Sequence, residues 1–218
     1  MSGKIAVIGA GSWGTTVASL AAANAPTVLW ARHPSVVTSI LDTRANPAYL
    51  PGTELPAELA RAMAERVLAA GRHWPVAVVC DDRAVADWAR AHGALVVWEP
   101  GRGLNGAVEA GVERLGGAGV MRVTVAHADL PSASDLTTVD NGSGVVLVPD
   151  RVGNGTNVLC LPTRSGFCFS YGPGSFARHQ AEATRLGLDV TVLERPELAW
   201  DVDEPADVPA GGRLPPLT

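Results

Sequence analysis

Short apolar runs recur along this chain, and most are followed by a stretch with helical spacing. Lys4 to Ile8, Thr27 to Ala31, Pro75 to Cys80, Ala94 to Trp98, Met121 to Ala126, Gly144 to Val148, Asn157 to Leu161 and Val190 to Leu193 read as strands. Ser12 to Asn24, Ala57 to Ala70, Arg83 to His92, Leu104 to Leu115 and Gly174 to Leu186 read as helices. This alternation predicts an α/β fold, a mostly parallel or mixed sheet with helices on both faces. Such sheets bind ligands beyond the carboxyl ends of their strands. The Pro-, Asn- and Gly-rich text from Asn46 to Pro56 marks a boundary. The expected division is 1–56, 57–208, and a loose tail over 209–218.

Composition narrows the function classes. With 47% hydrophobic and 18% charged residues, the 218-residue chain can bury a core. A net charge of −5 gives no basic field for a nucleic-acid backbone. No apolar run approaches the roughly 20 residues that a membrane span needs. The chain opens on a strand pattern without a secretory signal. Cys80, Cys160 and Cys168 lack the spacing of a zinc site or disulfide framework. The expectation is a cytoplasmic protein of small-molecule ligands, with neither nucleic acid nor membrane as partner; self-association is left open.

Gly9-Ala10-Gly11-Ser12-Trp13-Gly14 fits GxGxxG between a strand and a helix. Gly9, Gly11 and Gly14 would let backbone approach a diphosphate, so NAD(P) is a candidate cofactor; a tight turn without ligand is the alternative. The wider text, KIAVIGAGSWGTTVASLAAAN, VLWARHPSVVTSI and NPAYLPGTELP, resembles the start of NAD(P)-dependent glycerol-3-phosphate dehydrogenase. That resemblance implies a Rossmann-like βαβ segment. Arg32 stands where many such sites carry an acidic residue, and would suit a 2′-phosphate. The family's catalytic lysine lies further on, whereas Lys4 is this chain's only lysine.

Two acidic corners follow. Asp129 ends a strand and precedes Leu130-Pro131, and Asp201 and Asp203 alternate in WDVDEP. In an extended stretch the last two share a face. Carboxylates suit magnesium, which takes one or two of them with phosphates and water. A helix cap at Asp203 is the plainer alternative. His127 reads as a loop histidine beside Asp129, and His179 as a surface or capping residue on a helix.

From about 57 to 208 the chain resembles the guanylyltransferases of deazaflavin (F-420) coenzyme synthesis, which join GTP to phosphoenolpyruvate or 2-phospho-L-lactate. The text that carries this is AELARAMAERVLAA, VAVVCDDRAVADWARAHGALVV, GRGLNGAVEAG, VAHADLP, VPDRVGNGTNVLCL, YGPGSFARHQAEA and DVDEPADV. The resemblance implies a fold like that of nucleotide-diphospho-sugar transferases. It implies that Asp129, Asp201 and Asp203 hold magnesium and are catalytic. Asp81, Gly103 and Asn105 would line the nucleotide, and Thr156, Gly172 and Ser175 would grip the phosphorylated acid. A turn followed by an N-cap is the alternative at Gly172 to Ser175. The family's own first strand and lysine-bearing loop are replaced here by the dehydrogenase-like segment, leaving Arg61, Arg102 and Arg122 as nearby sources of positive charge. The alternatives are a dinucleotide-binding fragment and a non-catalytic chimeric pseudo-enzyme.

Overall fold

The computed structural model describes residues 5–8, 27–30, 57–202, 207–208 and 214–216. Gly9, Gly11, Gly14, the Ser12–Asn24 helix, the 46–56 boundary and Asp203 lie outside these. By contacts the chain forms two compact units, Met1–Ala64 with Val202–Pro215, and Glu65–Asp201 with Pro216–Thr218. No helix among the described residues is long and apolar enough to cross a membrane.

In the smaller unit, β1 (Ile5–Ile8) pairs in parallel with β2 (Thr27–Trp30). Helix α1 (Ala57–Ala70) begins here, and its Leu59 and Met63 pack with Val202, Val208 and Leu214.

The larger unit holds two groups of strands among the described residues. β3 (Ala77–Cys80) pairs in parallel with β4 (Leu95–Trp98) across helix α2 (Arg83–Ala91). Helix α3 (Gly103–Gly117) then leads to β5 (Arg122–Ala126). β6 (Val145–Pro149) and β7 (Thr156–Pro162) follow, then helix α4 (Ser175–Arg185), β8 (Val190–Val192) and the short helix α5 (Pro196–Ala199). The second sheet has the order β5-β7-β6-β8. β7 is antiparallel to both neighbours, while β6 and β8 are parallel, so the sheet is mixed. Residues 150–155 join β6 to β7, and so short a link permits only a hairpin; a parallel crossover needs about a dozen residues. The Asp150 carboxylate shapes that link by accepting the N–H groups of Val152, Asn154 and Gly155 at 3.1, 2.9 and 2.6 Å.

Side chains alternate across β6 and β7 with period two, and both faces are buried. Val146, Val148, Val158 and Cys160 pack on one side against Leu130, Leu136, Val139 and Leu198. Val145, Leu147, Leu159 and Leu161 pack on the other against Val112, Phe167, Phe169, Tyr171 and Ala183. The alternation breaks at one place. Val148 is opposite Val158 but Pro149 is opposite Thr156, so Asn157 is an inserted residue in a β-bulge. Strict alternation would put Thr156 on the side of Val158 and Leu198. Instead its hydroxyl meets His179 and Ser175 of α4, while Asn157 Nδ2 donates to the Leu198 carbonyl in α5 at 3.1 Å.

β8 reaches β6 at Gly144, whose φ is +55°. A Cβ there would stand 2.3 Å from the Asp189 carbonyl oxygen, which the Val145 N–H approaches to 2.7 Å. Gly144→Ala therefore has both a forbidden contact and an unfavourable φ, and it should lose about 2 kcal/mol of unfolding free energy in a urea titration.

Candidate active site

β5, β6 and β8 run one way, so their carboxyl ends share an edge with the start of β7. Several of the sequence candidates converge there. The His127 N–H continues the β5–β7 ladder by donating to the Asn157 carbonyl at 3.0 Å. Asp129 follows, buried, with His127 Nδ1 4.0 Å from its Oδ1. Arg66 of α1 donates to the Pro131 carbonyl at 2.6 Å and fastens the turn after Asp129.

Asp201 lies close enough to Asp129 for the two charges to interact. Burial, and next the Asp129 charge, push the Asp201 carboxyl above its ordinary range, against a lowering hydrogen bond from Asn157. A partly buried carboxyl raised by a neighbouring carboxylate is returned toward its ionised form by a nearby cation. Among the described residues, no group of three or more His, Cys, Asp or Glu is placed to hold a metal. A pair suffices for magnesium when phosphate oxygens and water complete the shell.

Thr156, Gly172 and Ser175 also come together. Thr156 and Ser175 are buried, and Ser175 Oγ is 3.5 Å from Thr156 Oγ1. Gly172 has φ +111°, which side chains rarely adopt, and a Cβ there would meet nothing within 4 Å. The loop is strapped by Arg178, which donates to the carbonyls of Ser170 at 2.7 Å and Pro173 at 2.6 Å. The N–H groups of Ser175 and Phe176 already serve the carbonyls of Gly172 and Asn154. Anion binding at this end of α4 would therefore rest on the two hydroxyls more than on the helix start.

The nucleotide candidates divide. Asn105, in the first turn of α3, accepts the Tyr171 N–H on Oδ1 at 2.6 Å and so ties α3 to the Gly172 loop. Gly103 begins that helix with φ +64°. Asp81 is exposed at the carboxyl end of β3, in the other strand group, and the neighbouring Asp82 caps α2 through Val85 N–H. Arg122 does not meet the expectation of charge near a triphosphate. It sits at the opposite end of β5 from Asp129 and is engaged by Asp140 at 2.7 Å and by the Gly144 carbonyl.

His179 corrects the sequence reading most clearly. It is fully buried, not a surface or capping residue. Its ring contacts Phe167, Phe169 and Tyr171, its Nδ1 lies 3.0 Å from Thr156 Oγ1, and its Nε2 lies 3.0 Å from the Ser170 nitrogen. The sequence signal for this burial was available but faint, since His179 and Ala183 stand four residues apart on one helix face. Asn157 and Arg178 were not singled out from the sequence; Asn157 is placed by the bulge, which has no local signature. Burial raises the thiols of Cys80 and Cys160, so neither is an activated nucleophile.

Comparison with known proteins bears on both parts of the chain. A family model described as the NAD-dependent glycerol-3-phosphate dehydrogenase N-terminus matches residues 4–94. The glycerol-3-phosphate dehydrogenase [NAD(P)+] of Xanthomonas campestris is 48% identical over 77 residues, 35% of this chain and 23% of that protein. The phosphoenolpyruvate guanylyltransferase of Rubrobacter xylanophilus is 40% identical over 139 residues, 61% of this chain and 68% of that protein. The chain belongs to the phosphoenolpyruvate guanylyltransferase family. The Roseiflexus castenholzii member is 36% identical over 157 residues, 69% of this chain and 73% of its own. This chain thus joins a guanylyltransferase family region to a dehydrogenase-like beginning.

Burial, with smaller contributions from the charges of Arg178 and His127, lowers the His179 pKa to about 4. The unfolded chain binds a proton there near pH 6.5, and the folded chain does not. The stabilisation is complete above about pH 6.5 and is lost as pH falls toward 4. Between pH 6.5 and 4, parent stability should therefore fall more steeply than that of His179→Asn, by up to about 1.4 kcal/mol per pH unit. Urea midpoints of both proteins at pH 7 and pH 5 check this.

Proposed function

We propose that this chain transfers a guanylyl group from GTP to phosphoenolpyruvate and releases pyrophosphate, in the synthesis of a deazaflavin coenzyme. The observation that supports this reading is the buried Thr156–Ser175 hydroxyl pair, at the strand edge that also carries the buried Asp129, on a chain of this family. An oxygen of the acid's phosphate forms a bond to the α-phosphorus of GTP. The bond from that phosphorus to the β-phosphate oxygen breaks, and pyrophosphate leaves with the electron pair. The displacement needs no side-chain nucleophile, and its rate depends on positioning and charge neutralisation.

The chain's own residues supply the positioning. Thr156, Ser175 and the Gly172 backbone bind the phosphorylated acid. Gly103 and Asn105 line the nucleotide side, and Asp81 is assigned there on the resemblance alone. The carboxylates fit magnesium by donor type, and the raised Asp201 is relieved when a cation enters. Magnesium held by Asp129 and Asp201, with Asp203 assigned on the resemblance alone, would neutralise charge on the triphosphate and on the leaving group. Residues 1–56 form a dinucleotide-binding-like segment ahead of a 57–208 transferase domain and a short tail. The protein works in the cytoplasm.

Asp129→Asn should lower pyrophosphate release from GTP and phosphoenolpyruvate at least about 100-fold while the protein still melts cooperatively. Chelation by EDTA should abolish release from the parent, and added magnesium should restore it. Unchanged turnover in Asp129→Asn would remove the carboxylate from the mechanism. Offering 2-phospho-L-lactate in place of phosphoenolpyruvate reads the choice of acid.

A further inference from the structure

The contacts around His179 fix more than the packing of a buried ring. Ser170 N–H lies 3.0 Å from Nε2. A backbone N–H can only donate, so Nε2 accepts and carries no proton. The single proton of the neutral ring is then on Nδ1, which is 3.0 Å from Thr156 Oγ1. Thr156 is thereby an acceptor toward the ring. The Ser175 hydroxyl approaches the same oxygen from 3.5 Å. A hydroxyl has two lone pairs and one proton. With its oxygen accepting from this side, Thr156 retains its own proton for a group that is not His179. Phe167, Phe169 and Tyr171 surround the imidazole, with ring centroids 5.7, 6.5 and 4.9 Å away, and hold it against rotation. Burying an imidazole requires partners for both nitrogens, and here Ser170 N–H and Thr156 Oγ1 supply them.

We propose that His179 is a positioning residue for the acid substrate: as the Nδ1–H tautomer it fixes the Thr156 hydroxyl as a donor toward an anionic oxygen of the phosphorylated acid. This rests on the reading that Thr156 and Ser175 bind that acid. A hydroxyl held as a donor favours ligands that present a charged acceptor and disfavours those that present a donor at the same point. His179 therefore contributes to discrimination between the anionic acid and its neutral analogues without touching either.

The experiment combines one spectroscopic and one kinetic readout on the full-length chain. The two-bond 1H–15N correlation spectrum of histidine-labelled protein reports the tautomer directly. A neutral Nδ1–H ring at pH 7 is expected for His179; an Nε2–H or doubly protonated ring would overturn the proposal, and this measurement needs no variant to fold. In the kinetic arm, His179→Leu keeps bulk but removes the donor, and His179→Asn retains an N–H near the Nδ1 position. His179→Leu should raise the KM for phosphoenolpyruvate about tenfold and leave the KM for GTP within about twofold, and His179→Asn should recover most of the loss. A normal acid KM in His179→Leu, or equal rises in both constants, would mean that the ring only packs. If the parent binds phosphoenolpyruvate by calorimetry but releases no pyrophosphate, the transfer reading fails separately. The same comparison is then made on dissociation constants, where an unchanged value in His179→Leu overturns the positioning role.

Discussion

The bulge at Thr156–Asn157 is the constraint on which the candidate site depends. In a regular strand the two residues would face the sides opposite to those they occupy. One inserted residue opposite Pro149 reverses the phase and aims Thr156 at α4 and Asn157 at α5. The strand then serves two purposes at one edge. Its hydroxyl joins the Ser175 and Gly172 loop, and its amide donates to the Leu198 carbonyl. The hairpin link that precedes the bulge is ordered by one carboxylate, Asp150, with three backbone N–H groups. A bulge of this kind is tolerable because the rest of β6 and β7 is buried on both faces and fixes the register.

Electrostatics divides the edge into two kinds of environment. Beside Asp129 and Asp201 negative charge is concentrated, and the Asp201 carboxyl is raised in consequence. His179 itself carries no charge: the ring stays neutral among aromatic neighbours, with the Arg178 charge nearby, and its two nitrogens are matched to one donor and one acceptor. The first environment suits a cation with phosphates, and the second suits the directed hydrogen bonding of a small anion. Together they fit a reaction that joins two phosphorylated molecules by positioning, with both thiols of Cys80 and Cys160 held unreactive by burial.

The strands and long helices were legible in the sequence because they rest on local periodicity. Ala57–Ala70 has the expected bounds, and the other described strands and long helices differ at their ends by a residue or two. The acidic corners and the Thr156–Ser175 pair were read from resemblance to a family; the geometry places Thr156 near Ser175, and the charges of Asp129 and Asp201 interact. What the sequence concealed is set by tertiary contacts. His179 looked like one more polar residue on an amphipathic helix, and only the packing of α4 against three aromatic rings buries it. Arg122 looked available to a ligand until its partners Asp140 and the Gly144 carbonyl were placed at the far end of the strand. The antiparallel course of β7 follows from the length of one link, and the short helix α5 is too brief to show a period.

The most direct test of the account is the chemical identity of the product. A 31P spectrum of GTP, phosphoenolpyruvate and magnesium incubated with the full-length chain should lose the GTP triphosphate pattern. It should gain free pyrophosphate together with two mutually coupled diphosphate resonances, one from the guanylyl phosphorus and one from the acid's phosphate. An unchanged spectrum over a cooperatively folded protein would contradict the account, because the edge built around the bulge would then not join two phosphates.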